Sequence, residues 1–196
     1  MNARLALALS LSALLGACIN VEPVQLSYYL LNGRDGASAA PVDPSVPALV
    51  LESITLAEYL EQSGLVLQQG DNQLQVSRSH LWAEGLDVAV PEALLRSLRA
   101  AAPNYRYFLR GSDFVPAPTY ALRLYLDAFH ATDSSEVVAG GRYQIVDVAA
   151  GREVLNREFN LRQALRDDGY PQAVRQLREL LDQLARDIGG ELQDVR

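Results

Sequence analysis

The sequence predicts an α+β fold: a mostly antiparallel sheet with two main helices packed on one face, preceded by a signal peptide. Residues 120–129 alternate between two faces, as a half-buried strand does, and begin a predicted three-stranded meander over 119–163. Residues 170–193 repeat apolar side chains every three or four positions, which is typical of an amphipathic helix. The order strands, helix, strands, helix favours a single domain in which the two helices cover one face of the sheet.

The first 18 residues have the features of a bacterial export signal. Arg4 supplies a positive charge, and the apolar stretch from Leu5 to Leu15 is shorter than the roughly 20 residues of a permanent span. It leads into Leu15-Gly16-Ala17-Cys18, which resembles the lipobox of bacterial lipoproteins. This implies a lipoprotein signal peptide, cleavage between Ala17 and Cys18, and acylation of Cys18. The alternatives are an ordinary signal peptide or a buried free cysteine, and the position of Cys18 argues against both.

The predicted organisation is a removed signal peptide (1–17), a lipidated tether (18–23) and one periplasmic α+β domain (24–196). The residue after Cys18 is Ile19 rather than aspartate. By the sorting rule of Gram-negative lipoproteins, this implies an outer-membrane protein that faces the periplasm. Stable anchoring takes at least two acyl chains, and three on Cys18 would exceed that. We expect no cofactor besides this covalent lipid.

Composition argues against several classes of protein. The formal net charge is −7, and it becomes −8 once residues 1–17, which contain Arg4 and no acid, are removed. All 17 basic residues are arginines, and they are dispersed along the chain. Such an acidic chain is a poor binder of nucleic acid and gains no attraction from anionic headgroups. We therefore expect no nucleic-acid partner.

Short segments rich in β-favouring residues alternate with turns in the first half of the chain. The segments that predict strands are 24–31, 48–54, 65–67, 74–76 and 105–109. Gly70-Asp71-Asn72 predicts a hairpin turn between two of them, because these residues tolerate positive φ. Residues 32–48 and 111–118 predict loops, and 55–62 predicts at most one helical turn.

Two helices are predicted. The first covers 88–101, with Asp87 as its cap, Pro91 in its first turn and Pro103 ending it. The second covers 170–193. Its apolar face has spacings of 3, 4, 3 and 4 and consists of Val174, Leu177, Leu181, Leu184 and Ile188. We interpret it as a core-facing helix, because two heptads are too few for a coiled coil and its polar face has mixed charge.

Residues 119–163 predict a three-stranded antiparallel meander. In its first strand one face carries Tyr120, Leu122, Leu124, Leu126 and Ala128, and the other carries Ala121, Arg123, Tyr125, Asp127 and Phe129. The following strands cover 137–148 and 152–161, with a turn at Gly151. The pair Gly140-Gly141 indicates a bulge or a close backbone contact rather than a phosphate-binding loop.

The residue pattern contains no catalytic constellation. The only histidines are His80 and His130. His80 and Glu84 have helical spacing, but a zinc site needs three or four converging ligands, and the segment has no second histidine and no available cysteine. The serines sit in no G-x-S-x-G context, and no phosphate-loop motif is present. We expect no enzyme and no metal site; a periplasmic hydrolase would require a catalytic cluster that the sequence does not show.

Tyrosine is enriched over phenylalanine, with nine tyrosines and four phenylalanines. Many tyrosines fall on predicted strands, including Tyr28 and Tyr29. A ring with a polar tip suits both half-buried sheet faces and protein interfaces. For any single ring the edge of the core is the favoured interpretation, because composition alone does not mark an interface.

A series of short motifs resembles a known family. YYLL (28–31) follows the lipobox closely. After it come ALVLESI, Tyr59-Leu60, LVLQQ, Asn72 in a turn, LQVS, HLWAEGL (80–86) and a helix with paired leucines. This arrangement resembles the ABC-type transport auxiliary lipoproteins, the paraquat-inducible protein C and YmbA group, most specifically over 59–98. Gly85 stands where a proline is more usual.

The resemblance implies a role in moving lipids between membranes. The family works with an MCE-domain protein and an inner-membrane transporter, and the lipoprotein is the outer-membrane end, held by its acyl anchor. It is no enzyme, and a homo-oligomer capping the MCE assembly is expected. The candidate partner-facing or family-motif residues are Tyr28, Tyr29, His80, Leu81, Trp82 and Glu84. The alternative is a lipoprotein scaffold or activator of another envelope assembly, such as cell-wall synthesis.

Overall fold

The computed structural model describes residues 23–33, 43–112 and 117–194. The predictions for the signal peptide, Ala17 and Cys18 lie outside these residues. The described strands are β1 (Ser27–Tyr29), β2 (Ala48–Leu56), β3 (Gly64–Gln69), β4 (Gln73–Trp82), β5 (Arg106–Leu109), β6 (Tyr120–Thr132), β7 (Glu136–Asp147) and β8 (Arg152–Ala164). The helices are α1 (Leu86–Ala101) and α2 (Tyr170–Asp194), with a single 3₁₀ turn at Glu58–Leu60. The predicted α+β class with two main helices is confirmed.

Strand β6 is the centre of the sheet. Along one edge it pairs antiparallel with β7, and β7 pairs antiparallel with β8. Its other edge is divided: the first half pairs in parallel with β2, and Ala131 and Thr132 at its end pair in parallel with β3. Strand β5 extends the sheet beyond β2, and β4 followed by β1 extends it beyond β3. The longest pairings are antiparallel, as predicted, whereas the parallel pairings of β6 with β2 and β3 were not predicted.

Both helices contribute to one hydrophobic core against the sheet. The fully buried leucines include Leu94 and Leu98 of α1, Leu122 of β6, and Leu181 and Leu184 of α2. Each buried leucine side chain stabilises the fold by about 1.5–3 kcal/mol relative to an exposed one. The two helices also contact each other directly through a 2.6 Å hydrogen bond, which the Ser97 hydroxyl donates to the Asp182 carboxylate. The core-facing role predicted for α2 is confirmed.

Helix α1 begins two residues earlier than predicted. Gly85 occupies the N-cap position with φ −59° and ψ 145°, and its carbonyl oxygen accepts hydrogen bonds from the N–H groups of Val88 and Ala89. The prediction of Asp87 as the cap is therefore wrong, and this residue lies in the first turn, where a carboxylate interacts favourably with the helix dipole. Pro91 consequently lies in the second turn rather than the first.

A β-bulge in β6 changes the face that its last residues occupy. Leu126 pairs with Gly141 and Ala128 pairs with Gly140, so Asp127 is an extra residue without a partner in β7. The extra residue reverses the alternation, because side chains on a strand repeat every two positions. Phe129 is 1% exposed and lies in the core. The predicted alternation is therefore wrong for Ala128 and Phe129.

Gly141 lies where the backbones of β6 and β7 approach each other at the bulge. Its φ is +155°, and a Cβ atom built there would overlap the carbonyl oxygen of Tyr125. Only glycine avoids this overlap, since it has no Cβ. The interpretation of Gly140-Gly141 as a bulge or close backbone contact is confirmed.

Candidate docking surface around strand β1

Strand β1 brings the predicted family-motif residues together. It pairs in parallel with the end of β4, with Tyr28 opposite Leu81 and Tyr29 opposite Trp82. Neighbouring residues of a strand point to opposite faces, so this pairing divides the motif into two sets. Tyr28 and Leu81 lie on one face, and Tyr29, His80 and Trp82 lie on the other.

The inner set connects β1 to β4 and to the beginning of α2. The Tyr29 hydroxyl forms a 2.8 Å hydrogen bond with Nδ1 of His80. The His80 ring stacks on the Tyr170 ring, with centroids 3.8 Å apart and planes tilted by 14°. Trp82 is 6% exposed and packs against Phe129. His80 therefore ties β1 to β4, and Trp82, predicted as a partner-facing or family-motif residue, is buried in the core.

The outer set continues into a row of exposed apolar side chains. Alternate apolar residues before, within and just after β1 are all exposed: Val24 (69%), Leu26 (49%), Tyr28 (62%) and Leu30 (50%). We call these four residues the β1 stripe. Within the described part of the chain β1 is an edge strand, paired on one side with β4. The segment from Val24 to Leu30 carries none of the charges or prolines with which proteins usually protect a sheet edge, so this edge is suited to a partner.

The turn after β4 completes this side of the domain. The Ala83 N–H donates a 2.8 Å hydrogen bond to the Tyr29 carbonyl oxygen, which extends the β1–β4 ladder by one residue. Glu84 follows in the same turn and is partly exposed. Its neighbour Gly85 begins α1, so the motif connects the edge strand to the first helix. Sequence reasoning found Tyr28 in this surface but missed Val24, Leu26 and Leu30, whose period-2 spacing with Tyr28 was the available signal.

The second histidine lies in a buried polar cluster. His130 is 5% exposed; its Nδ1 is 3.1 Å from the Tyr59 hydroxyl, and its Nε2 is 2.9 Å from Oε1 of Gln68. Because Nε2–H donates to the Gln68 oxygen, Nδ1 of the neutral ring is an acceptor, and the Tyr59 hydroxyl proton is shared between Nδ1 and the Asp127 carbonyl oxygen 2.8 Å away. Burial lowers the pKa of His130, with a smaller contribution from Arg162, and burial raises the pKa of Tyr59 to about 12. Both side chains are therefore neutral near pH 7, and the Tyr59 hydroxyl contacts Asp127, the extra residue of the bulge.

We expect His130 to make stability depend on pH. Because its pKa is lower in the folded protein than the ordinary value of about 6.5, the unfolded chain binds more protons between these two values. The free energy of unfolding should therefore fall as the pH drops below about 6.5 and through the folded-state pKa. Urea unfolding of the wild type and His130→Gln measures this: the advantage of the wild type should shrink across that range. Parallel pH profiles would contradict the assignment.

The described residues contain no group of three or more His, Cys, Asp or Glu side chains placed to hold a metal ion. The His80 ring contacts Tyr29 and Tyr170. Neither α1 nor α2 combines the length and hydrophobicity that crossing a bilayer requires. The prominent surface feature of the described residues is the apolar β1 stripe beside an edge strand.

Comparison with known proteins identifies the family of this chain. The chain belongs to the ABC-type transport auxiliary lipoprotein component family, whose model matches residues 28–189. This confirms the resemblance stated from the motifs, and the family is an auxiliary transport family rather than an enzyme family. Over 178 residues the chain is 23% identical to the intermembrane transport lipoprotein PqiC of Escherichia coli (strain K12), and the match covers 91% of each chain.

Solved structures show the same fold. A crystal structure of an uncharacterized protein matches with a TM-score of 0.72 and 24% identity, covering 86% of this chain and 99% of the other. Protein XCC0632 from Xanthomonas campestris matches with a TM-score of 0.65 and 14% identity, covering 86% and 95%. The matched family region begins at Tyr28, within β1, and contains all of α1 and most of α2.

Proposed function

We propose that this protein is an outer-membrane-anchored lipoprotein subunit of an MCE-type intermembrane lipid-transport system. It docks the periplasmic MCE assembly and so supports membrane integrity. The observation that carries the docking role is the β1 stripe, an exposed apolar row on an unprotected sheet edge. Membership of the auxiliary transport family supports the placement in a transport system. A homo-oligomer that caps the assembly belongs to the same proposal.

The position of the stripe relative to the predicted anchor favours docking. Only five residues separate Cys18 from Val24, the first residue of the stripe. A short tether holds the edge strand close to the membrane surface and raises its effective concentration near any partner that reaches that membrane. The acidic domain gains no attraction from anionic headgroups, so the surface it offers for binding is apolar rather than electrostatic.

A crosslinking pull-down from membranes, with the bait at native level, tests both parts of the proposal. We expect the wild type to recover an MCE-domain protein and Cys18→Ala to recover much less. Tyr28→Arg should reduce recovery about tenfold or more, because it places a charge in the centre of an apolar contact. Val148→Arg is the matched control, since Val148 is also exposed (42%) but lies in the β7–β8 turn.

Two outcomes would overturn this proposal. Equal recovery with Tyr28→Arg and Val148→Arg would remove the β1 stripe from the interface. Recovery of cell-wall enzymes without any MCE-domain protein would support a scaffold of another envelope assembly instead.

A further inference from the structure

An apolar cleft lies between the sheet and the first turns of α2. Its volume is about 220 Å³, and it lies where β6 ends its pairing with β2 and begins to pair with β3. Leu65 and Leu67 of β3, Trp82 of β4 and Leu177 of α2 are among the side chains that line it. The cleft is therefore a gap in the core at one end of the domain.

Most of the side chains that line the cleft are hydrocarbon, and two of its polar side chains, His130 and Thr132, already have hydrogen-bond partners. Both ring nitrogens of His130 are engaged, with Tyr59 and Gln68. The Thr132 hydroxyl is engaged by Ser134 at 2.8 Å. A cavity with such a lining holds water poorly, because a buried water needs two or more polar partners. An occupant of the cleft would itself have to be apolar along its buried part.

The size of the cleft restricts the occupant further. It exceeds the roughly 150 Å³ of a cavity that holds benzene, and it is smaller than the roughly 300–1,000 Å³ of pockets for drug-sized ligands. This space suits part of a single alkyl chain. Its mouth is formed by the exposed Gly169 and the partly exposed Leu165 and Tyr170, so a polar headgroup would remain outside.

The cleft is separate from the docking surface. Trp82 lines the cleft and lies on the face of the β1–β4 pair opposite to Tyr28 and Leu81. A partner seated on the β1 stripe would therefore leave the cleft open. At least two of the acyl chains of Cys18 are needed in the bilayer, because stable anchoring takes two. The position of the cleft favours a diffusible lipid over a partner side chain, and comparing the acylated wild type with Cys18→Ala distinguishes this lipid from the third acyl chain.

We propose that this cleft binds one hydrocarbon chain of a membrane lipid, with the headgroup at the mouth beside Tyr170. The inference rests on the proposed function in lipid transport and names the ligand class that this subunit itself contacts. Lipid binding is measured on the purified protein. A protein that binds no lipid could therefore still recover an MCE-domain protein, and a protein that recovers none could still bind lipid.

Trp82 provides a direct measurement, because it is the only tryptophan in the chain and lines the cleft. The probe is a lysophosphatidylethanolamine with a doxyl group on its acyl chain, titrated into the purified Cys18→Ala protein. We expect saturable quenching of Trp82 fluorescence that unlabelled lysophosphatidylethanolamine reverses and glycerophosphoethanolamine does not. Ala173→Phe, which fills the cleft, should weaken binding at least tenfold, whereas Val148→Phe adds the same ring outside the cleft and should leave binding unchanged.

A second variant covers the case in which Ala173→Phe does not fold. Leu67 is only partly buried, so Leu67→Asn should be tolerated while it places an amide in the lining, and it should also weaken binding at least tenfold. Absence of saturable quenching in the Cys18→Ala protein would overturn the proposal, as would equal binding by Leu67→Asn. The acylated wild type is titrated with the same probe. If Trp82 were quenched in Cys18→Ala but not in the acylated wild type, the anchor would occupy the cleft, and the proposal would be overturned.

Discussion

Replacing Gly141 by alanine is expected to lower the free energy of unfolding by about 3 kcal/mol. The added Cβ would overlap the carbonyl oxygen of Tyr125, which belongs to the backbone of β6 and cannot rotate away. The strain would fall on the bulge at Asp127, where the two strands are closest. Urea unfolding of the Cys18→Ala protein and its Gly141→Ala variant, followed by far-ultraviolet circular dichroism, measures the difference.

The neighbouring glycine provides a matched control. A Cβ on Gly140 would lie 3.6 Å from the Cβ of Ala128, which is an ordinary van der Waals contact. Gly140→Ala should therefore change the free energy of unfolding by less than about 1 kcal/mol. If both alanines had the same effect, the close approach at Gly141 would not be the cause.

Replacing Phe129 by alanine is expected to lower the free energy of unfolding by about 3–5 kcal/mol. The ring is 1% exposed and packs against Trp82, so its removal leaves a cavity in the core. The comparison is Tyr125→Ala, four positions earlier in the same strand. Tyr125 lies on the outer face, where the Arg142 guanidinium is 4.3 Å from its ring centre, and its loss should cost about 1 kcal/mol.

This pair of variants tests the bulge directly. An uninterrupted alternation would place Tyr125 and Phe129 on the same face, and the two substitutions would then have similar effects. The bulge predicts a difference of at least about 2 kcal/mol between them. Equal losses, measured by the same urea unfolding, would contradict the register of β6 with β7.

Long periodic segments were predictable because their apolar side chains all lie on the one face that is buried. The five apolar positions of α2 and the alternation from Tyr120 to Leu126 indicated the correct elements and the correct buried faces. Predictions from local sequence were wrong where pairing with a neighbouring strand determines the secondary structure. Strand β2 continues to Leu56, where a helical turn was predicted, because it pairs with β6 through this residue.

The bulge was predicted at the correct glycines, but the reversal of the side-chain alternation that it causes in β6 was not predicted. Gly140-Gly141 indicated a close backbone contact, yet nothing in the sequence of β6 shows which residue is extra. Only the pairing with β7 identifies Asp127 and turns Phe129 inwards. The parallel pairings of β6 were equally hidden, since they join segments with a helix and a hairpin between them.

The candidate site was predicted as a set of residues but not as a surface. The motif placed Tyr28, Tyr29, His80 and Leu81 in one group, and their adjacency across β1 and β4 explains why they belong together. The division into an outer and an inner face depends on the parallel register, which no local pattern specifies. Trp82 was grouped with the partner-facing residues because its burial depends on Phe129 and α2, which come later in the chain.

The divided edge of β6 affects the order in which the strands pair during folding. The meander from β6 to β8 closes through short turns, whereas the pairing of β2 with β6 joins Leu49 to Tyr120 across 71 positions. Long-range pairings form late, because closing a large loop costs conformational entropy before any contact compensates it. Strand β2 is made before β6 and stays unpaired with it until the meander forms, so the apolar side chains of β2 are the ones that remain uncovered during folding and favour aggregation at that stage.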